Sequence, residues 1–288
     1  MGVVINTNIS SITASRILSE NRADLETAME RLASGKRINS ANDDAAGMAV
    51  AAKMRADIRS LNQAVRNTND AISLVNTYDG AASEIESILI RMRELAVQAN
   101  NGTYEAADRT NADYEYTALK NEITRIAGVS AFNRTTLAQG SSGAAGGTGS
   151  SDTSFSFYVG ADVAKSGNTV TFASKALDLN LAVSSSTLNS ITTTTLAASA
   201  IASLDDAIYE LAANRSQAGA LVNRLEHTVS NLMNVSQRLQ EAVSGIEDAD
   251  YAAESAALAR GMVLAQAGTA MLAQANQAPQ FILALLRS

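Results

Sequence analysis

From Ile201 onward, apolar residues recur in steps of three and four. The stripe runs Ile201, Leu204, Ile208, Leu211, Ala218, Val222, Leu225, Val229, Leu232, Leu239, Val243 and Ile246, interrupted only by Arg215 and Ser236. Such an alternation keeps the side chains on one helix face and lets that face follow a left-handed seam against a partner helix. A second run has the same step: Met54, Ile58, Leu61, Val65, Thr68, Ile72 and Val75, resuming after Tyr78 in a shifted frame as Ala82, Ile85, Leu89 and Met92. The three-residue interval from Val75 to Tyr78 predicts local overwinding. Two long helices are therefore expected, from about Asp44 to Gln98 and from about Thr195 to Ile246. Ile58, Leu61, Val65 and Ile72 face Leu211, Leu225, Leu232 and Leu239 in the bundle seam they predict.

Shorter patterns fill in the rest. Leu18, Leu25, Met29 and Leu32 form a stripe on a helix from about Ser10 to Leu32, and Gly35 is placed to stop it. Asp43 and Asp44 sit where the next helix begins, and there a carboxylate can accept from free N–H groups and complement the dipole. Asn100, Asn101 and Gly102 end that helix. Leu119, Ile123 and Ile126 then mark a helix from about Thr110 to Ala127. Gly140–Ser154 is a turn-rich tract. Phe155, Phe157 and Val159 alternate with polar residues as in a strand, Val170 and Phe172 suggest a second strand, and Leu177, Leu179 and Leu181 a third. A break near Ile246–Asp250 precedes a last Ala-rich helix. The fold class is mainly α: an elongated antiparallel helical bundle built from both chain ends, with a small β-hairpin piece in the middle.

Composition narrows the function. Aromatic residues make up 4%, Trp is absent and the one proline is Pro279, a profile suited to Ala-rich helix packing. A net charge of −7 argues against nucleic acid as a partner, since no basic face is available to displace counterions. With no cysteine there are no disulfides or thiolate metal sites. Residues 1–10 lack both a basic region and an apolar core of the secretory kind. Phe281–Leu286 is too short to span a bilayer, so no membrane insertion is expected.

Candidate chemistry is sparse. His227 is the only histidine and cannot assemble a usual zinc site. Asp43/Asp44 and Asp205/Asp206 read as carboxylates at helix starts rather than as acid–base pairs. Ser34-Gly35-Lys36 lacks the upstream glycine and strand of a phosphate loop. Neither an enzyme nor a cofactor is expected. The Ala-rich arm from Tyr251 to Ala278 has little bulky apolar surface of its own, so it is expected to order only on assembly. An assembly subunit and a coiled-coil adaptor or sensor module are the two readings left by the pattern.

The residues Ser34-Gly35-Lys36-Arg37-Ile38-Asn39-Ser40-Ala41-Asn42-Asp43-Asp44-Ala45-Ala46-Gly47-Met48-Ala49 closely resemble the N-terminal signature of bacterial flagellins. So do Arg91–Gln98, Ile246–Ala252 and Gln266–Arg287, in the same order. The resemblance covers roughly 1–137 and 196–288. It implies a structural subunit of the bacterial flagellar filament, a secreted, extracellular homo-oligomer of many copies, with a hook-filament junction protein as the alternative. It implies inner-tube helices at 1–43 and 248–288, an outer helical layer at 44–137 and 196–247, and a short variable β-containing segment at 138–195 with no large outer domains. Leu258, Leu272, Phe281, Leu285 and Leu286 would make C-terminal inner-tube contacts. Implied partners are the flagellar export apparatus and an export chaperone, the filament cap and hook-junction proteins. The vertebrate toll-like receptor for flagellin is implied as well, through Arg91, Leu95 and Glu122. Ile90 departs from the Gln found in many recognised members.

Overall fold

A computed structural model describes residues 7–137, 153–160, 167–174 and 190–287. Its helices are α1 (Ile9–Ser34), α2 (Ala45–Ala99), α3 (Ala106–Val129), α4 (Thr194–Glu247) and α5 (Tyr251–Arg287). The strands are β1 (Ala131–Phe132), β2 (Thr135–Thr136), β3 (Thr153–Tyr158) and β4 (Thr169–Ser174). They form two antiparallel pairs, β1 with β2 and β3 with β4. The third expected strand, at Leu177–Leu181, lies outside the described residues, as does most of the Gly140–Ser154 tract. The chain divides into two compact units, residues 1–58 with 237–288 and residues 59–236.

In the second unit the core stripe of α2 runs through Leu61, Ala64, Thr68, Ala71, Val75, Tyr78, Ala82, Ile85, Leu89, Met92, Ala96 and Ala99, all buried. Their steps alternate three and four without interruption, and α2 is continuous across Val75–Tyr78, so the expected frame shift is corrected. Val65 and Ile72 are only half-buried and flank the stripe. The axis belongs to Ala64 and Ala71, because small side chains fit directly under a neighbouring helix while bulky ones are pushed to its edges.

On α4 one face carries the apolar stripe. Leu204, Leu211, Ala218, Leu225 and Leu232 recur every seventh residue and are buried, and Ile201, Ile208, Val222, Val229 and Leu239 are half-buried between them. Both polar interruptions are answered from α2. Arg215 bonds Asp79 (Nε to Oδ1, 2.8 Å) and also Glu86, while the buried Ser236 hydroxyl donates to Asn62 Oδ1 at 3.3 Å. Because α4 begins at Thr194, Asp205 and Asp206 are not at a helix start, and Asp205 instead pairs with Arg93 of α2 at 2.5 Å.

The β3–β4 hairpin aligns Phe155 with Phe172 and Phe157 with Val170. These face the helices, Ser154, Ser156, Thr169 and Thr171 face solvent, and the Phe172 ring meets Tyr78 edge-on at 5.3 Å. Helix α3 starts four residues earlier than its apolar pattern suggested. Asp108 Oδ2 accepts from the Glu105 N–H at 3.2 Å, a cap that satisfies a free donor without a Ser, Thr or Asn at the boundary. Tyr116 is wholly buried on α3, and burial pushes its phenol pKa upward.

Candidate functional site

The first unit is organised around α1 and α5. On α1 the seam positions are Ser11, Ala14, Leu18, Asn21, Leu25, Ala28 and Leu32, with Thr27 and Arg31 half-buried beside them; on α5 they are Glu254, Leu258, Gly261, Ala265, Gly268, Leu272 and Ala275. Both sets step by three and four, so each helix contributes one heptad seam. The pair is antiparallel. Asn8 Nδ2 donates to the Ala275 carbonyl (2.8 Å), Asn21 Nδ2 to that of Gly261 (3.0 Å), and Arg31 Nη1 to Glu254 (3.1 Å). A Cβ at Gly268 would stand 3.2 Å from Leu18 Cδ1, and one at Gly261 3.5 Å from Leu25. The two glycines thus make the holes that receive two leucine knobs. Met29, expected on the α1 stripe, is exposed, and Ala28 takes its place.

The loop after α1 is built to hold its direction. Gly35 adopts φ +70° and donates its N–H to the Arg31 carbonyl at 2.9 Å, a left-handed helix stop that a side chain would strain. Its own carbonyl accepts from Ala249 N–H at 3.1 Å. Arg37 donates from its backbone N–H to the Glu247 carbonyl (2.6 Å) and from Nη2 to that of Ile246 (2.7 Å). The Glu247 carboxylate is buried and pairs with Arg55 at 3.0 Å. Asp44 caps α2 through the Gly47 N–H, 2.8 Å, as its position suggested. Asp43 folds the loop instead, accepting the N–H groups of Ser40 (2.9 Å) and Asn39 (3.0 Å), which hold its carboxyl below the usual aspartate range.

Beside the charged residues of α1, the α1–α5 seam leaves a set of large apolar side chains uncovered. Ile9, Ile12, Ile17 and Met29 on α1, and Tyr251, Met262, Val263, Leu264 and Met271 on α5, are each between 47% and 69% exposed. Ile17 and Met29 flank the α1 seam, and Leu264, Met262 and Met271 flank that of α5. Flanking positions of a solvated two-stranded coil are usually charged. Apolar ones call for further helices alongside. Tyr251–Gln277 is long and apolar enough to cross a membrane by length and composition, and within it only Gly261 is fully buried. A bilayer is a poor cover, because the seam partner α1 carries Arg16, Glu20, Arg22, Asp24, Glu26 and Glu30 on its exposed surface. Of the expected inner-tube contacts, Leu258 and Leu272 lie half-buried on this seam, while the side chains of Phe281, Leu285 and Leu286 are outside the described residues.

The receptor set separates. Arg91 is exposed and bonds Glu115 (2.9 Å) and Glu94 (3.0 Å), which raise its pKa. Glu122 pairs with Arg125 at 2.6 Å, which lowers its pKa, so Arg91 and Glu122 do not bridge each other. Ile90 is exposed, whereas Leu95 is 3% exposed and stands in the core. Glu115, Arg125 and Arg55 carried no sequence signal as partners, since their pairing crosses helices or is one of many possible spacings. His227 is exposed, and among the described residues no cluster suited to a metal occurs.

Two family models match the chain: the bacterial flagellin N-terminal helical region over residues 5–142 and the C-terminal helical region over residues 201–286. A flagellin of Halalkalibacterium halodurans is 42% identical over 287 residues, covering 99% of this chain and 100% of the relative. A flagellin of Bacillus subtilis is 38% identical, covering 98% and 99%. The flagellar filament 33 kDa core protein of Treponema phagedenis is 39% identical, covering 99% and 100%. A crystal structure of Bacillus cereus flagellin superposes with a TM-score of 0.49 at 36% identity, covering 58% of this chain and 88% of that one.

Proposed function

Since this chain belongs to the bacterial flagellin family and is a structural subunit of the flagellar filament, we propose that the apolar flanks of the α1–α5 pair are the surface by which copies join. The observation that carries this is the set of exposed Ile17, Met29, Met262, Leu264 and Met271 beside an already satisfied seam. In this reading residues 1–43 and 248–288 form the inner layer of the tube. Residues 44–137 and 196–247 form the outer helical layer, and 138–195 faces outward. The junction-protein alternative is set aside, because relatives matched end to end are a flagellin and a flagellar filament core protein by name.

The filament stands outside the cell, so the subunit must be secreted. We assign that step to the flagellar export apparatus with an export chaperone, followed by addition beneath a filament cap on a base of hook-junction proteins. No catalytic role forms part of this reading. Toll-like receptor contact would fall to Arg91, Ile90 and Glu122, with Leu95 acting from the core to hold α2 in place. Arg91→Ala with Glu122→Ala is expected to weaken signalling by soluble subunit in a cell-based receptor assay, and undiminished signalling would remove the receptor from the partners.

Polymerisation of purified protein, followed by pelleting and negative-stain microscopy, tests the assembly surface. Ile17→Glu with Leu264→Glu is expected to leave the subunit soluble and to abolish filaments, because both carboxylates would be desolvated without partners. Normal tubes from that variant would show that the flanks face solvent in the filament.

A further inference from the structure

We propose that Met262 and Met271 of α5, together with Met29 of α1, are sites of oxidation by hydrogen peroxide, and that their sulfoxides keep the subunit out of the filament. This rests on the assembly reading above, because a polar atom on the flanks matters only where neighbouring copies cover them.

Seven of the eight methionines of the chain lie among the described residues, and burial sorts them. Met92 has no exposed surface and Met48 and Met54 are half-buried, whereas Met29, Met262 and Met271 are 47%, 54% and 64% exposed. Met262 follows Gly261 on one flank of the α5 seam and Met271 precedes Leu272 on the other, so each flank of this helix carries a thioether. Met29 occupies a flank of α1. Met233, on α4 in the other unit, is 58% exposed and serves as an accessibility control.

A thioether is an apolar, adaptable filler, well suited to a helix–helix contact. In the oxidation the sulfur lone pair attacks one peroxide oxygen. The O–O bond breaks as the S–O bond forms, and the second oxygen leaves as water after taking up the transferred proton. Sulfur loses two electrons and peroxide gains them. The product is a polar sulfoxide. Once covered by a neighbouring helix, its oxygen is an acceptor without a donor, and the same penalty recurs at every copy added.

The test treats soluble subunit and preformed filaments with hydrogen peroxide and quantifies oxygen uptake at each methionine by peptide mass spectrometry. The critical concentration for polymerisation is then measured by pelleting. In the soluble subunit Met29, Met233, Met262 and Met271 are expected to react and Met92 to be spared; in filaments Met262 and Met271 are expected to be protected. Treated subunit should need about tenfold or more protein to polymerise, and methionine sulfoxide reductases should reverse the defect. The Met29→Leu, Met262→Leu, Met271→Leu variant should polymerise normally and keep its critical concentration after treatment. The proposal is overturned if Met262 and Met271 stay unreacted in the soluble subunit, if converted wild type polymerises at an unchanged critical concentration, or if the leucine variant is inactivated as fully as wild type. Untreated wild type that fails to polymerise overturns the assembly reading itself, which distinguishes the two failures.

Discussion

Arg215 interrupts an otherwise apolar stripe, yet the seam continues past it because Asp79 and Glu86 stand one heptad apart on α2 and share its guanidinium. Arg215→Ala removes one cation and leaves two carboxylates facing the seam. A loss of about 1–2 kcal/mol is expected in chemical denaturation, less than for a fully buried pair because the Arg215 side chain is 31% exposed. An unchanged midpoint would mean that the two carboxylates are fully hydrated without it. Asp43 supplies a pH dependence. Its folded pKa is depressed by the backbone N–H groups of Ser40 and Asn39, so its contribution is present above the ordinary aspartate value and is lost as pH falls through the lowered one. In an acid titration followed by NMR, the Asn39 and Ser40 amides should shift below the ordinary aspartate range, and Asp43→Asn should remove that transition. The sequence placed Asp43 near a helix start but gave no sign that it closes the loop while Asp44 does the capping.

At the scale of elements, heptad spacing carried most of the information. It located α2 and α4, while a glycine marked the stop at Gly35 and alternation located β3 and β4. It misjudged the phase of α2, since Val65 and Ile72 are more apolar than Ala64 and Ala71 and draw the stripe toward the flank. The buried axis follows the smaller pair because it is the side that a neighbouring helix can approach. For the same reason Met29 looked like a seam residue where Ala28 is one. The start of α3 was illegible because a Glu105–Asp108 cap replaces the usual residues. The tiny β1–β2 hairpin has no apolar alternation to betray it. Its turn holds Asn133 and Arg134 at φ 47° and 66°, the left-handed region. On α4 the burial pattern sets an order of costs: Leu225→Ala should lose about 2–4 kcal/mol and the half-buried Val229→Ala about 1 kcal/mol or less. Equal effects in thermal melts would mean that the seven-residue seam is not the core. Gly268→Val should lower the melting temperature of the filament, because Leu18 already stands 3.2 Å from the site of a new Cβ.

For the whole molecule, two units with different surfaces follow from one chain. The 59–236 unit closes a continuous core behind two seams and a hairpin, with Tyr114, Tyr209 and Met233 among the large side chains it leaves exposed, whereas the unit formed by both chain ends satisfies one seam and leaves Ile17, Met29, Met262, Leu264 and Met271 exposed beside it. The first is a domain that can stand in water; the second asks for copies of itself. Deleting residues 248–288 should therefore abolish pelletable filaments while circular dichroism still reports a helical protein, because α1 loses its seam partner and the other unit keeps its core. The most direct measurement exploits the absence of cysteine. Ile17→Cys and Leu264→Cys, each the only thiol in its chain, can be labelled with a maleimide before and after polymerisation. Both thiols should react readily in the soluble subunit and be slowed by about tenfold or more in the filament, whereas equal labelling in the two states would contradict the claim that neighbouring copies cover the flanks of the α1–α5 pair.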